Sequence, residues 1–330
     1  MRFMRPVPAR AAAASVAVAY LSGSADATLL GWHLRFRCGK WQARLECGAV
    51  CWIVMSRGRG EREILSSVQL RREISARNVE RGAGEFEVSF GGSESVIYRD
   101  ADGAHGNFLA GSYARIMADP LWKRRLTKSY TASRFVPRAG DRKRYELECA
   151  SSSDALLMNI FCYPGALRNA RLCALLGVET GLRPEFGFRP AIPLTNGRSD
   201  RTEIDLRLGD LLVEAKLTEG DFQRAPMRLL TRYRDLEEVF ALEQLPVVEG
   251  VVRSYQLIRC VLAAHACGGS FMVLCDGRRP DLTERWFEVM RAVGDSALRT
   301  RLRLVTWQEL GALLPGRVRG FLAQKYGIGE

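Results

Sequence analysis

The spacing of hydrophobic residues along the second half of the chain changes repeatedly between a period near two and one near 3.6. Helical spacing occurs in "SSSDALLMNIF", "ALRNARLCALLG" and "LTERWFEVMRAV". The nearly all-apolar run "SFMVLCD" favours a buried central strand, and "EFGFRPAIPL" (185–194) and "LRLVTW" favour two more. Because strands alternate with helices from about residue 146 onward, we predict an α/β fold with a central mixed β-sheet flanked by helices.

Three longer stretches of the second half also have helical spacing. We predict amphipathic helices in "APMRLLTRYRDLEEVFALEQL", "GVVRSYQLIRCVLAAHACG" and "QELGALLPGRVRGFLAQKYG", the last interrupted at Pro315. In the first half the periodicity is weaker. There we expect a charged helix over 61–82, a strand over 85–90, a loop over 99–113 and a helix interrupted at Pro120.

The stretch "TEIDLRLGDLLVEAKLTE" (202–219) alternates apolar and polar residues on both sides of Gly209-Asp210, which predicts a β-hairpin with a two-residue turn. Counting outward from the turn places Leu206 opposite Val213 and Asp205 opposite Glu214. One face of the hairpin is then apolar: Ile204, Leu206, Leu208, Leu211, Val213, Ala215 and Leu217. The other face carries Glu203, Asp205, Arg207, Leu212, Glu214 and Lys216.

The charged face of this hairpin has two interpretations. Opposed carboxylates such as Asp205 and Glu214 repel each other unless a cation lies between them, and Mg²⁺ prefers oxygen ligands. Lys216 on the same face can orient an attacking water and offset charge that develops on phosphorus, so the set suits phosphodiester hydrolysis. The alternative is an ordinary exposed face with a Glu203–Lys216 ion pair, and a bulge would undo the register.

The charge of the chain is unevenly distributed. The net charge is +12, and ten basic residues lie between Arg115 and Arg144 against only Asp119 and Asp141. Such a basic segment suits a polyanion such as double-stranded DNA, although a solvated basic face is an equally good interpretation. No apolar run reaches the ~18 residues that a membrane span requires, so we expect no membrane partner.

The nine cysteines form no disulfide framework, and most lie within apolar runs. This usage indicates a reducing compartment, and we therefore expect a cytoplasmic protein. The three histidines and the absence of any Cys-x-x-Cys pattern argue against a zinc site.

The first 54 residues have an unusual composition. Residues 1–27 resemble a secretory signal, with a basic start, an apolar segment and an Ala-x-Ala site, whereas 31–60 are dense in Arg, Gly, Cys and Trp without a clear period. We prefer the interpretation that 1–54 is a leader preceding the true start at Met55. Residues 55–144 are then an N-terminal extension that contains the basic segment, and 145–330 form the main domain.

The order Asp205, eight residues, Glu214-Ala215-Lys216 resembles the motif of the PD-(D/E)xK nuclease superfamily, with the proline position of the motif filled by Ile204. The run "VEAKLTEGDF" and the later "SYQLIR" also resemble an uncharacterised branch of putative restriction endonucleases. The resemblance covers about residues 145–310, and it implies a restriction-endonuclease-like core in which a helix is followed by three strands, a helix and a further strand.

The resemblance also implies roles for particular residues. Asp205 and Glu214 would bind Mg²⁺, and Lys216 would be the catalytic lysine. Members often add an acidic ligand from a preceding element, for which Glu185 is preferred over Glu179 because it opens a strand beside the hairpin. They also often carry a Gln or Tyr on the helix after the active strand, which suggests a catalytic role for Gln256, with Tyr255 as the alternative.

Together these features predict a Mg²⁺-dependent DNA endonuclease of the restriction or defence type. The basic segment would hold the DNA backbone, and a homodimer is compatible with cutting both strands. A catalytically inactive nucleic-acid-binding module on the same fold is the alternative from a different functional class. A secreted protein is a third interpretation, and it depends on the N-terminus.

Overall fold

The computed structural model describes residues 26–29, 32–37, 40–45, 50–53, 64–89, 95–129 and 144–329. The chain divides into two compact units, Met1–Glu63 and Ile64–Glu330. The first unit contains a four-stranded antiparallel sheet in the order β1-β2-β3-β4. Its strands are β1 (Asp26–Leu29), β2 (Trp32–Arg37), β3 (Lys40–Leu45) and β4 (Val50–Ile53). The sequence pattern of 31–60 did not predict these strands. The apolar part of the signal-like segment and the preferred start at Met55 lie outside the described residues.

The second unit combines many short strands with helices of one to four turns. Its strands are β5 (Phe86–Ser89), β6 (Ser95–Tyr98), β7 (Asp100–Ala101), β8 (Ala104–His105), β9 (Glu185–Phe188), β10 (Ile192–Pro193), β11 (Ser199–Asp200), β12 (Ile204–Leu208), β13 (Leu211–Ala215), β14 (Arg224–Pro226), β15 (Val247–Val248), β16 (Val251–Arg253), β17 (Ser270–Cys275) and β18 (Leu302–Thr306). Its helices are α1 (Ser67–Arg81), α2 (Ala110–Ala118), α3 (Pro120–Arg125), α4 (Ser153–Phe161), α5 (Ala170–Leu176), α6 (Met227–Leu230), α7 (Leu236–Val239), α8 (Tyr255–Ala266), α9 (Pro280–Ala292), α10 (Ser296–Arg299), α11 (Trp307–Ala312) and α12 (Gly316–Tyr326).

A five-stranded mixed sheet in the order β18-β17-β13-β12-β9 forms the centre of this unit. The hairpin β12–β13 and the pair β9–β12 are antiparallel, whereas β17 runs parallel to both β13 and β18. Parallel strands are buried on both faces, which explains why β17 is almost entirely apolar. The structure confirms the predicted α/β class with a mixed sheet flanked by helices.

Successive residues of the central strands pack into two different hydrophobic cores, one on each face of the sheet. On one face Val213 and Met272 pack with residues of α1, α4, α5, α11 and α12. On the other face Leu212 and Phe271 pack with residues of α7, α8, α9 and α10. The unit therefore has three layers, helices–sheet–helices, and the middle strand β13 is covered on both sides.

From Ile64 onward, the residues predicted as an N-terminal extension belong to the same compact unit as the main domain. Leu70 and Ile74 of α1 and Val96 of β6 belong to the same core as α4 and α12. Asn78 of α1 donates a hydrogen bond to the carbonyl oxygen of Lys325 at 3.0 Å. The structure therefore places no boundary at residue 145, and the second unit begins at Ile64.

Most predicted elements are present, and their ends follow local chemistry. Helix α1 begins with a capping box at Ser66 and ends at Gly82 in the left-handed conformation. Pro120 and Pro315 separate consecutive helices, as predicted. The loop over 99–113 contains the short strands β7 and β8 and the start of α2.

The long helix predicted over 225–245 is wrong. Only short turns form there, namely α6, α7 and a 3-10 turn at Leu242–Gln244, because tertiary partners take the backbone groups that a helix would use. The amide of Thr195 donates to the carbonyl of Arg232, and the amide of Arg234 donates to the carbonyl of Pro193. The predicted strand 185–194 is likewise divided, since β10 pairs with β11 rather than extending β9.

Among the described residues, no helix combines the length and the apolar character needed to cross a bilayer.

Candidate active site

The register predicted for the hairpin is confirmed where the strands are paired. Leu206 lies opposite Val213, and Leu208 opposite Leu211. Asp205 lies one residue beyond this paired segment, and its Oδ2 accepts a hydrogen bond from the Ala215 amide at 2.9 Å. The side chain of Asp205 is thereby held against the strand that carries Glu214 and Lys216.

The two faces of the hairpin differ from the prediction in one respect. Ile204 was assigned to the apolar face with Leu206, but it packs in the second core together with Leu212. The predicted polar face is not a surface, because α8 and its neighbours cover it and all five residues of β13 are buried. The carboxylate of Glu214 therefore lies inside the protein.

Glu214 is 1% exposed, and three side chains contact its carboxylate. Lys216 Nζ donates to Oε1 at 2.7 Å, and Gln256 Nε2 donates to the same oxygen. The thiol of Cys260 lies 3.7 Å from Oε2. Gln256 and Cys260 stand four residues apart on α8, so one face of this helix presents both to Glu214. The structure brings Gln256 to the predicted pair.

Lys216 is fixed by its backbone as well as by its ammonium. Its amide donates to the carbonyl of Leu274 on β17 at 2.8 Å, and its carbonyl accepts from Trp307 Nε1 at 2.8 Å. Its Nζ lies 5.6 Å from the centre of the Phe222 ring. The alternative of an exposed Glu203–Lys216 ion pair is wrong, because Glu203 pairs with Arg125 at 2.7 Å instead.

Around Asp205 and Lys216, carboxylates outnumber the cations that could neutralise them. Burial raises the pKa of Asp205 well above its ordinary value, and the nearby carboxylates of Glu214 and Asp154 raise it further. Burial alone would lower the pKa of Lys216, but Glu214, Glu219 and Asp205 outweigh burial and hold it above its usual range. Lys216 is therefore an ammonium, and Asp205 holds a proton more tightly than a free aspartate does.

Asp205, Glu214, Lys216 and Gln256 line one cavity of about 430 Å³. Glu146 and Glu219 also line it, and the sequence pattern did not identify either of them as a site residue. Glu219 is engaged, because it accepts hydrogen bonds from Ser153 Oγ at 2.7 Å and from the Leu217 amide at 2.6 Å.

Glu146 is the less satisfied of the two. It lies in a 3-10 turn, Glu146–Glu148, shortly before α4. Its Oε2 lies 3.2 Å from Lys128 Nζ but accepts no hydrogen bond from any described residue. Burial, together with Asp154, raises its pKa to about 7. The only signal in the sequence is an acidic residue just ahead of the N-cap of a helix, which does not reveal that it faces the hairpin.

The donor set fits a hard divalent cation that keeps part of its water shell. Within the described ranges, no three His, Cys, Asp or Glu side chains converge closely enough to form a metal cage. Asp205 and Glu214 supply carboxylate oxygens, and Glu146 lines the same cavity. Mg²⁺ is commonly bound by one or two carboxylates with water and substrate oxygens, which suits this arrangement better than it suits zinc.

The structure does not bring the other predicted acidic ligands to this cavity. Strand β9 is antiparallel to β12, and Glu185 lies opposite Arg207 rather than beside Asp205. Its carboxylate is exposed and 3.8 Å from Arg207. Glu179 is exposed in the loop after α5. The hydroxyl of Tyr255 lies 3.0 Å from that of Tyr233, and Tyr255 does not line the cavity.

Part of the basic segment is internal. Arg125 and Lys128 both contact the carboxylate of Asp154, which is 3% exposed, at 2.9 and 2.6 Å. Arg125 also pairs with Glu203 at 2.7 Å. These cations compensate buried acids and are not free for DNA. Residues 130–143 of the segment lie outside the described residues.

A protein-family model described as "Restriction Endonuclease associating with ARP" matches residues 82–327, which is more than half of the chain. The chain belongs to this family. The REase-ARP match confirms the resemblance to restriction endonucleases inferred from the hairpin and its surroundings. The match begins inside the predicted N-terminal extension, in agreement with the packing of β6 in the main core. No curated protein and no solved structure matches the chain.

Proposed function

We propose that this REase-ARP protein is a metal-dependent DNA endonuclease that hydrolyses phosphodiester bonds by the attack of water. The observation that carries the proposal is the set of Asp205, Glu214 and Lys216 on the wall of one cavity, with the ammonium 2.7 Å from a buried carboxylate. A buried pair of carboxylates is unfavourable in the empty protein, and such an arrangement is typical of a cation site. Membership of a restriction-endonuclease family supports the DNA substrate.

Asp205 and Glu214 would hold the cation, with water and substrate oxygens completing its shell. When bound, Mg²⁺ would supply the positive charge that neutralises these carboxylates and polarises the phosphate. The Ala215 amide holds one oxygen of Asp205, and Asp205 lines the cavity. Lys216, as an ammonium, can donate hydrogen bonds to the attacking water and to the phosphate oxygens.

Gln256 would act as a positioning residue. It donates to the same oxygen of Glu214 that Lys216 contacts, which restricts the rotation of that carboxylate. Among the described residues, the thiol of Cys260, a weak donor, contacts the other oxygen of Glu214.

The direct test is incubation of supercoiled plasmid and linear duplex DNA with the protein, with Mg²⁺ or with EDTA. We expect nicking or cutting only with Mg²⁺, and a loss of at least about 100-fold in the Lys216→Ala and Asp205→Asn variants. Asp210→Asn is the matched control, since Asp210 lies exposed in the turn of the same hairpin. Cutting by Lys216→Ala at the rate of the wild-type protein would falsify the assignment.

Duplex DNA binding without cleavage under all metal conditions would instead support the inactive nucleic-acid-binding module. A homodimer is also part of the proposal, because cutting both strands is simplest with two active sites. Light scattering of the protein bound to a duplex gives its mass and tests this point.

A further inference from the structure

We call the cavity lined by Asp205, Glu214 and Lys216 the acidic cavity. A larger cleft of about 890 Å³ lies beside it. Its lining includes Arg124 of α3, Arg183 before β9 and Arg189 after β9, and we call this space the arginine cleft. Lys128 lines both this cleft and the acidic cavity, so the two spaces meet at that residue. The proposed reaction uses the acidic cavity only and leaves the arginine cleft without a role.

The acidic residues of the cleft do not neutralise all of its arginines. Glu203 pairs with Arg125 at 2.7 Å, and Glu185 lies 3.8 Å from Arg207, which is outside the cleft. Arg124 is exposed and forms no ion pair with any residue that the structure describes. The side chain of Arg189 is 68% exposed, and its ion pair with Glu203 is long, at 3.7 Å. At least two guanidinium groups therefore face solvent with little compensation.

Arg183 is held in a fixed orientation at the edge of the cleft. It pairs with Asp119 at 2.6 Å, and its guanidinium lies 5.8 Å from the centre of the Trp122 ring. A second cavity of about 400 Å³ shares Trp122 and Arg183 and adds Arg115 and Arg168. The basic surface therefore continues beyond the arginine cleft.

We propose that the arginine cleft binds the phosphate backbone of duplex DNA on one side of the bond to be cut. Guanidinium groups form paired hydrogen bonds with phosphate, and a row of them fits a repeating anion rather than a single small one. The acidic cavity beside it favours a cation, so the backbone lies in the cleft and one phosphate reaches the cavity past Lys128. The proposal rests on the proposed function for its choice of DNA as the polyanion.

The test is the salt dependence of DNA binding by the full chain in a Lys216→Ala background with Mg²⁺, so that binding is measured without cleavage. The variant pair is Arg124→Ala with Arg189→Ala. The matched control is Arg317→Ala with Arg319→Ala, two exposed arginines of α12 that line none of these cavities. Fluorescence anisotropy of a labelled 20-base-pair duplex across a NaCl series gives the affinity and its salt slope.

Two lost phosphate contacts should reduce the slope of log K against log salt by about 1.8, with a loss of affinity of more than 10-fold at low salt. The control pair should keep both the slope and the affinity of its parent. An unchanged slope in the cleft pair, an equal loss in both pairs, or tighter binding of an RNA duplex of the same sequence overturns the proposal. Thermal melting confirms that both pairs remain folded.

The outcomes separate this proposal from the proposed function. If the wild-type protein does not cut DNA but the cleft pair loses salt slope, then only the nuclease assignment fails. If the wild-type protein cuts DNA and the cleft pair binds as its parent does, then only the arginine cleft fails.

Discussion

Replacing Asp205 with asparagine should stabilise the metal-free protein while it removes the proposed activity. The pKa of Asp205 is raised by burial and then by Glu214, so its ionised form costs folding free energy at neutral pH. Asparagine keeps an oxygen that can accept the hydrogen bond from the Ala215 amide, but it carries no charge. A catalytic site that is costly to the fold is expected where charge is held ready for a ligand.

The size of the gain follows from the charges. Two unit charges ~5 Å apart across a hairpin repel by about 3 kcal/mol at an effective dielectric constant of ~20. Lys216 attracts Asp205 and offsets part of this repulsion, so we expect a net gain of about 1–2 kcal/mol. For a chain of this size that corresponds to a rise of a few degrees in the melting temperature, at roughly 2–4 °C per kcal/mol.

The gain should depend on pH in a defined direction. The folded protein binds the Asp205 proton more tightly than the unfolded chain, whose aspartate has a pKa of about 3.9. Stability of the wild-type protein therefore falls as pH rises above about 4, and the fall ends above the raised pKa of the folded state. The difference between Asp205→Asn and wild type should be near zero at pH 4 and largest at pH 8.

Urea unfolding in EDTA at several pH values between 4 and 8 measures this difference. Asp210→Asn makes the same chemical change in the exposed turn and should shift the free energy of unfolding by less than about 0.5 kcal/mol at every pH. Adding Mg²⁺ should stabilise the wild-type protein more than Asp205→Asn, because a ligand stabilises the state that binds it. A variant that is less stable than wild type at pH 8 would refute the reasoning.

Two further predictions concern buried polar groups. Gln256→Leu removes a hydrogen bond to the carboxylate of Glu214, which is 1% exposed. Urea unfolding should therefore show a loss of about 1–3 kcal/mol in the free energy of unfolding. The Mg²⁺-dependent cutting rate should also fall, and an unchanged rate contradicts the positioning role. Lys325 is fully buried, 2.7 Å from Asn78 Oδ1, and burial, followed by the charge of Arg81, lowers its pKa well below the ordinary value. Because the unfolded chain then binds this proton more readily, stability should rise with pH up to about 10; Lys325→Met should flatten that rise, and a parallel pH profile would show that another group causes it.

The sequence predicted the hairpin and its chemistry because both depend on short-range spacing. Gly209-Asp210 determines the register of the paired residues, and Asp205 directly precedes them and contacts the Ala215 amide. The long helix over 225–245 failed for the opposite reason, since its backbone groups bond to residues 193 and 195, about 40 positions earlier. Periodicity contains no information about such partners.

The acidic residues around the site show the same limit. Glu185 is near the hairpin in the sheet, but the antiparallel register directs it towards Arg207. Glu146 lies almost 60 residues before the hairpin and reaches the cavity only because α4 packs against β13. Spacing predicted the shared face of most hairpin residues, with Ile204 as an exception, whereas the elements that share a cavity depend on the tertiary packing.

The carbonyl of Lys216 is bound by Trp307, which lies 91 residues later in the chain. The active strand is thus completed by a part of the protein that is translated long after the hairpin itself. A nascent chain that has released the hairpin but not yet Trp307 contains Asp205, Glu214 and Lys216 without the support that orders them. The hairpin therefore gains this hydrogen bond only after the chain has been made as far as Trp307.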